Sequence, residues 1–205
     1  LLAVAFAAMT CAAAAQTPKY PDWEGAWVRR SDGVFDATKK PGLAQQPPLT
    51  EEYQKVFEKS VADQAAGGQG NNPMSACIPP GMPRMMIGYG VGLEFVIQPK
   101  ITYVILGEPM MQVRRIFTDG RKHPPEDEMD ATFNGHSIGH WEGDTLVVET
   151  NNLRGAEDSV FDGWVDVNGS PYSQQAKFTE KIRRVAYDHL QIDMTLEDPK
   201  AYTKP

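Results

Sequence analysis

The sequence predicts an all-β protein with one N-terminal α-helix, built as an antiparallel meander that closes, or nearly closes, into a β-barrel. From residue 93 onward, short segments of alternating apolar and polar residues follow one another, separated by tight turns. Helical periodicity is confined to one segment before residue 67, and strands do not alternate with helices as in a parallel α/β sheet. Short strands joined by short turns are typical of closed β architectures.

Residues 1–15 resemble the end of a secretory signal. They form an apolar run that is too short for a spanning helix of roughly 20 residues. Ala13 and Ala15 supply the A-x-A arrangement read by signal peptidase, and a lipoprotein interpretation through Cys11 is a minor alternative. We therefore expect a periplasmic or secreted protein with no stable membrane span. Its mature chain would keep one cysteine, Cys77, which we expect to be a buried structural thiol.

Residues 16–48 are expected to hold a first strand and a Pro/Gly-rich loop. Trp23 and Trp27 are compatible with a tryptophan that closes one end of a barrel, and equally with an ordinary first strand. Residues 49–66 predict a packing helix capped by Thr50, with acidic residues in its first turn. The predicted apolar stripe of that helix consists of Tyr53, Val56, Phe57 and Val61.

Residues 67–205 are expected to form the remainder of a single β-barrel domain. The proline- and methionine-rich segment 73–92 either lies beneath the barrel or forms a flexible apolar lid over a pocket. Residues 136–141 and 145–150 predict a hairpin across an E-G-D turn. A last long hairpin is predicted around residues 187–189.

Four segments carry a resemblance to other proteins. They read CxPPGMPRMM from Cys77, RRIFTDGRxHP from Arg114, GHSIGxWEGDTLVVET from Gly135 and DPKAYTKP from Asp198. They are spread over the chain from residue 77 onward, and most of that part is similar to a family of secreted proteins from Gram-negative bacteria. The resemblance implies export, a lipocalin-like β-barrel and a C-terminus that is truncated relative to its relatives. It implies no particular activity.

Composition limits the possible functions. A mature chain of about 190 residues is long enough for one domain with its own core. The net charge of −7 and the lack of a basic patch argue against nucleic-acid binding. P-loop and G-x-G-x-x-G motifs are absent, as are zinc and calcium spacings. We expect no cofactor and no metal, and the oligomeric state is left open.

The densest cluster of chemically informative residues lies between residues 113 and 151. Arg114 and Arg115 face opposite sides of their strand, so one of them must point into the barrel. A buried arginine needs a partner because an isolated buried charge is very costly, and Glu149 and Glu180 are the best candidates. Either this is a structural buried pair, or the arginine holds a ligand carboxylate or oxyanion.

Strand geometry limits which histidines could bind the same metal ion. His136 and His140 lie on one predicted strand, where their Cα atoms would be roughly 13 Å apart. A metal shared by these two is therefore not expected. His123 could join one of them if the chain folds back.

The hypothesis that follows is a barrel that binds a small, largely apolar or amphipathic molecule. Segment 82–86 would lie near its mouth, and a few polar groups would orient the ligand, as is usual in such pockets. The residues expected to contact the ligand are Arg114, Arg115, His136, His140, Trp141, Glu149, Tyr89, Met85 and Trp164.

Two other classes stay open. One is a cofactor-independent lyase, isomerase or hydrolase, in which a glutamate or histidine base removes a proton and an arginine stabilises the oxyanion. Its candidate catalytic residues are Glu180, His136 and Arg115. The other is a structural protein of the cell envelope, which would present an exposed apolar patch in place of a pocket.

Overall fold

The computed structural model describes residues 21–29, 47–87, 92–108, 111–158, 161–166 and 168–205, and this part of the chain is mostly β. Eight strands form one sheet in which each strand neighbours the next along the chain. They are β1 (Ala26–Trp27), β2 (Leu93–Gln98), β3 (Ile101–Leu106), β4 (Gln112–Phe117), β5 (His136–Glu142), β6 (Thr145–Asn151), β7 (Lys177–Ala186) and β8 (His189–Glu197). The sheet curls into a nearly closed, barrel-like form, which confirms the expected all-β architecture at this level.

The sheet is mixed, so the expected antiparallel meander is only partly right. Strands β4 and β5 pair in parallel, with Ile116 opposite Ser137 and Phe117 opposite Ile138. The remaining neighbours are antiparallel. The exception arises because residues 118–135 form a long connection with a 3₁₀ turn at Glu126–Glu128, and such a connection can return the chain in the same direction.

The two predicted hairpins are present. Strands β5 and β6 pair from Glu142 opposite Thr145 to His136 opposite Asn151, and Gly143 takes a positive φ of 61° in the turn between them. Strands β7 and β8 pair along their whole length, with an irregularity between Arg184 and Ala186. These hairpins depend on local turn chemistry, which is why the sequence predicts them well.

The predicted helix is α1 (Glu51–Ala65), with Thr50 at the N-cap position. The Thr50 side chain makes no capping hydrogen bond, so that part of the prediction was wrong, because its hydroxyl donates to the Lys200 carbonyl instead. Its buried face is formed by Tyr53, Phe57 and Ser60, whereas Val56 is exposed, so the predicted stripe was partly wrong. Ser60 can be buried because its hydroxyl donates a hydrogen bond of 2.6 Å to the Asn71 side chain. None of the described helices is long and apolar enough to cross a membrane.

The methionine-rich segment belongs to the core. It contains the one-turn helix α2 (Arg84–Ile87), and Met82, Met85 and Met86 are almost completely buried against the sheet. Of the two predicted alternatives, burial beneath the barrel therefore describes residues 82–86. The Cys77 side chain is exposed, so the expectation of a buried thiol was wrong.

The gap between the two edge strands, β1 and β8, is bridged by a side chain of β7 that reaches the segment before β1. In the described residues, no ladder joins β1 to β8. The Arg184 guanidinium spans this seam: it donates a 2.5 Å hydrogen bond to the Asp22 carbonyl and lies 5.5 Å from the Trp27 ring centroid. Trp23 is 1% exposed and packs edge-on against Phe95, which favours the interpretation of a tryptophan that closes the barrel.

Candidate functional site

A buried ion pair occupies the barrel interior. The alternation of β4 points Arg114 inward and Arg115 outward. Arg114 is 1% exposed and Glu180, from β7, is 0% exposed. The arginine Nη1 donates to Glu180 Oε1 at 3.0 Å, and its Nη2 forms a second, shorter bond to Oε2. This two-pronged arrangement matches the planar fork of arginine to the carboxylate.

Two hydroxyls complete this interior cluster. Arg114 Nε donates to Ser137 Oγ at 3.1 Å, and Nη2 donates to Thr150 Oγ1 at 2.8 Å. The two hydroxyl oxygens lie 2.9 Å apart. One side chain from each of β4, β5, β6 and β7 therefore meets at a single point. Because these groups satisfy one another, the structure favours the buried-pair alternative over a ligand-facing arginine.

The other residues expected to bind a ligand do not converge on this point. Arg115, His140 and Glu149 are exposed, and His140 contacts Glu142 at 3.1 Å. Met85 is fully buried in the core. Glu180 and Arg115, two of the candidate catalytic residues, therefore lie on opposite sides of the barrel wall. A shared role in one active site would need both to face one cavity.

The tryptophans have structural contacts. Trp141 packs against Trp23 with ring centroids 5.3 Å apart. Trp164 is 4% exposed, and the Arg84 guanidinium lies 4.2 Å from its ring centroid. Tyr89 lies outside the described residues. Among the predicted contact residues that the structure describes, His136 is the half-buried one whose side chain meets a second ionisable side chain, His123.

The neighbour of His136 is His123. The connection after β4 folds back over the outer face of the sheet and brings the two Nδ1 atoms to 2.9 Å, a hydrogen-bonding distance. The two rings meet edge-on, with centroids 5.1 Å apart. Both side chains are half-buried. Of the pairings that the sequence left open, the structure selects His123 with His136.

Neighbouring side chains hold this pair in place. The Phe117 ring stacks on His136 with centroids 5.4 Å apart, and the Arg121 guanidinium lies 3.9 Å from the Phe117 centroid. Arg121 also donates to both Asp119 oxygens, at 2.9 Å and 2.6 Å. Hydrogen bonds from Arg121 lower the pKa of Asp119 to about 2. The T-D-G-R turn thus supports the histidine pair from one side.

The pair should make stability depend on pH. Burial lowers the pKa of both His123 and His136. At His123, the positive charge of Lys177 lowers the pKa further, whereas the Glu149 carboxylate opposes the shift. At His136, the positive charge of Arg121 also lowers the pKa. The unfolded chain then binds more protons than the folded chain near the ordinary histidine pKa of about 6.5. The contribution of the histidine pair to the unfolding free energy is therefore fully present above about pH 6.5 and declines as the pH falls below that value.

This pH dependence can be measured by urea unfolding at about pH 7.5, 6.5 and 5.5 in metal-free buffer. The unfolding free energy should decrease toward low pH, and His136→Gln should decrease less steeply than the wild type. His140→Gln is the matched control, since His140 lies on the same strand and is exposed. Identical slopes for the wild type and His136→Gln would contradict the expectation.

An apolar cleft opens at the seam between the edge strands. We call it the β1–β8 cleft, and its volume is about 280 Å³. Its apolar lining comes from both edges of the sheet and from the segment before β2. Its polar lining comes from Arg29, Asp188 and His189. The lining residues are Trp27, Val28, Arg29, Met86, Ile87, Leu93, Asp188, His189, Leu190 and Ile192.

Sequence reasoning missed this cleft almost entirely. Leu190 and Ile192 alternate on β8 as in any amphipathic strand, and nothing in their spacing shows that β8 ends beside β1. Trp27 was the one useful signal, because a tryptophan at the start of the sheet suggested closure. Exposed apolar side chains also surround the seam, namely Val28, Val185 and Tyr187, which are 59%, 52% and 89% exposed.

Two larger grooves lie elsewhere on the described surface. One, of about 530 Å³, is lined by the carboxylates of Asp127, Glu128, Asp130 and Asp158, which makes it less suitable for an apolar ligand. The other, of about 580 Å³, runs along β8 past Asp166 and Ser170, whose polar groups bond to each other at 2.8 Å; the rest of its lining is largely apolar and includes Pro47, Pro48, Val165, Met194, Leu196 and Tyr202. The β1–β8 cleft combines an apolar floor with polar groups at its margin.

These features define a small, nearly closed β-barrel with a hydrogen-bonded Arg114–Glu180 cluster in its interior, a histidine pair on its outer face and an apolar cleft at its seam. Comparison of the chain with protein-family models, with curated proteins and with solved structures found no match.

Proposed function

We propose that this protein binds a small, largely apolar or amphipathic molecule in the β1–β8 cleft. The observation that carries the proposal is the apolar lining of that cleft by Trp27, Leu93, Leu190 and Ile192 at the seam of the barrel. Burial of an apolar ligand surface against such side chains contributes roughly 25 cal/mol per Å². Arg29, Asp188 and His189 would orient a polar end of the ligand.

The size and place of the cleft support this proposal. Its volume of about 280 Å³ is close to the lower end of ligand pockets, which commonly measure about 300–1,000 Å³. The exposed apolar side chains around the seam would lose contact with water when a ligand covers them. The seam is also joined by few contacts, since Arg184 and neighbouring side chains link its edges in place of a ladder.

Export and a lipocalin-like relationship belong to the same proposal. They rest on the signal-like residues 1–15 and on the family resemblance of the four sequence segments. A periplasmic or secreted carrier of apolar molecules would be consistent with an acidic barrel of this size. The proposal differs from the hypothesis based on sequence in one respect: the ligand site is at the seam, because Arg114 and Glu180 fill part of the interior.

The proposal predicts that Leu190→Gln weakens ligand binding about tenfold, equivalent to about 1.4 kcal/mol. The substitution puts an amide into the floor of the cleft, where it lacks a partner and removes apolar contact. Binding can be measured by fluorescence titration with 1-anilinonaphthalene-8-sulfonate, an amphipathic probe, and then by competition with fatty acids and other apolar molecules.

Val113→Gln is the matched control. Val113 is an apolar residue that is 53% exposed on β4, outside the cleft. It should leave probe affinity within about twofold of the wild type, since it is not in the lining. Equal affinity of Leu190→Gln and the wild type, or a failure of the folded wild type to bind any apolar probe, would overturn the proposal.

A further inference from the structure

The distance within the His123–His136 pair suits a metal as well as a proton. Two imidazole nitrogens that bind one metal at about 2.0–2.1 Å lie about 2.8–3.0 Å apart when their bonds meet at a right angle. A tetrahedral angle would need about 3.3 Å. The observed Nδ1–Nδ1 separation is 2.9 Å. That separation falls within the range for two adjacent ligands of a square-planar or tetragonal site.

We propose that His123 and His136 bind Cu(II) through their Nδ1 atoms on the outer face of the barrel. In the metal-free pair one Nδ1 carries the proton of the hydrogen bond; when the cation binds, that ring takes the tautomer protonated at Nε2, so both rings ligate as neutral imidazoles. Imidazole nitrogens are good ligands for copper, and a right-angled arrangement favours Cu(II) or Ni(II) over the tetrahedral geometry of zinc. Among these divalent cations Cu(II) generally binds most strongly.

Local packing prepares the pair for this role. Phe117 stacks on the His136 ring, and the backbone of β5 holds His136 beside β4. His123 is carried by the connection that folds back from Arg121. Preorganised ligands lose little conformational freedom when the metal binds. Both rings are half-buried, so water can still reach the remaining metal positions.

The charges around the pair partly balance. Arg121 and Lys177 oppose a bound cation, but Arg121 is paired with Asp119 through two hydrogen bonds. Glu149 acts in the favourable direction, because its carboxylate stabilises positive charge on His123.

Among the described residues, two side chains would ligate the metal. Within the described ranges, no group of three His, Cys, Asp or Glu side chains is placed to hold a metal. Water or an external ligand would therefore occupy the other positions, and the metal would exchange readily. This arrangement is suited to reversible binding of copper and does not resemble a closed structural centre.

The test is a titration of the folded, metal-stripped full chain with Cu(II), followed by calorimetry and electron paramagnetic resonance. One equivalent should bind, with a spectrum typical of two imidazole nitrogens in a tetragonal field. His123→Phe and His136→Phe keep an aromatic ring in place while removing the nitrogen. Each should weaken binding at least tenfold, since loss of even an outer-shell partner costs about 10–100-fold.

The chain offers two matched controls. His140 and His189 are exposed and contact Glu142 and Asp188, respectively. His140→Phe and His189→Phe should leave the Cu(II) affinity within about twofold and the spectrum unchanged. The proposal is overturned if the wild type binds no equivalent of copper, if the His123 and His136 variants keep it, or if the control variants lose it equally. The copper titration is a separate readout from apolar binding, and of the four residues varied only His189 lines the β1–β8 cleft.

Discussion

We expect Arg114→Ala to lose about 3–5 kcal/mol of unfolding free energy, because it leaves the Glu180 carboxylate charged, buried and without its main partner. The hydroxyls of Ser137 and Thr150 also lose the donor that they share. Domains are commonly stable by only about 5–15 kcal/mol, so the variant should be close to unfolding at 37 °C. Urea unfolding followed by circular dichroism measures the loss.

Arg115→Ala provides the matched control for this prediction. Arg115 is the next residue on β4 and is exposed, so its removal should change stability by no more than about 0.5 kcal/mol. The double variant Arg114→Met, Glu180→Leu should recover most of the stability, since apolar side chains of similar volume can replace a buried ion pair. A small loss in Arg114→Ala would show that the interior pair is open to water, and would restore it as a possible ligand site.

The second large effect is expected at Asp198, the first residue of the D-P-K-A-Y-T-K-P segment. Its carboxylate is 3% exposed and accepts hydrogen bonds from the Ser173 backbone N–H at 2.6 Å and hydroxyl at 2.7 Å. It also accepts from the backbone N–H groups of Lys200 and Ala201, at 3.2 Å and 3.1 Å. One carboxylate therefore organises the last turn of the chain.

Hydrogen bonds connect that turn to the start of α1. The Thr50 backbone N–H donates to the Ala201 carbonyl at 2.8 Å, and the Thr50 hydroxyl donates to the Lys200 carbonyl at 2.9 Å. Asp198→Ala should therefore cost about 3 kcal/mol, because several buried donors lose a charged acceptor together. Hydrogen exchange of the amides of residues 50–54 should accelerate more than that of β5 and β6.

Asp193→Ala is the control for this second prediction. Asp193 lies on β8 and is exposed, with hydrogen bonds only from the Gln191 side chain among those that the structure describes. Its removal should change stability by no more than about 0.5 kcal/mol. If Asp198→Ala unfolds at the same urea concentration as Asp193→Ala, the contacts of the C-terminal segment do not stabilise the fold as we expect.

Arg114 and Asp198 show that a sequence can identify a motif without revealing the role of its residues. The sequence singled out Arg114 and the D-P-K-A-Y-T-K-P segment, and it named Glu180 as one of two partners for a buried arginine. It did not distinguish a structural pair from a ligand-binding one. That distinction depends on whether Ser137, Thr150 and Glu180 surround the guanidinium, and these residues come from three other strands.

The sequence by itself determined the local features: the strands of alternating residues, the turn at Gly143, the helix after Thr50 and the necessity of a partner for one buried arginine. Each follows from residues that are close in the chain, because backbone geometry and turn chemistry act over a few positions. Only the tertiary structure decided the parallel pairing of β4 with β5, the inward direction of Arg114, the meeting of His123 with His136 and the cleft where β1 faces β8. The reason is that these features depend on how a curved sheet aligns distant segments, and the spacing of residues within one segment carries no information about which other segment will face it.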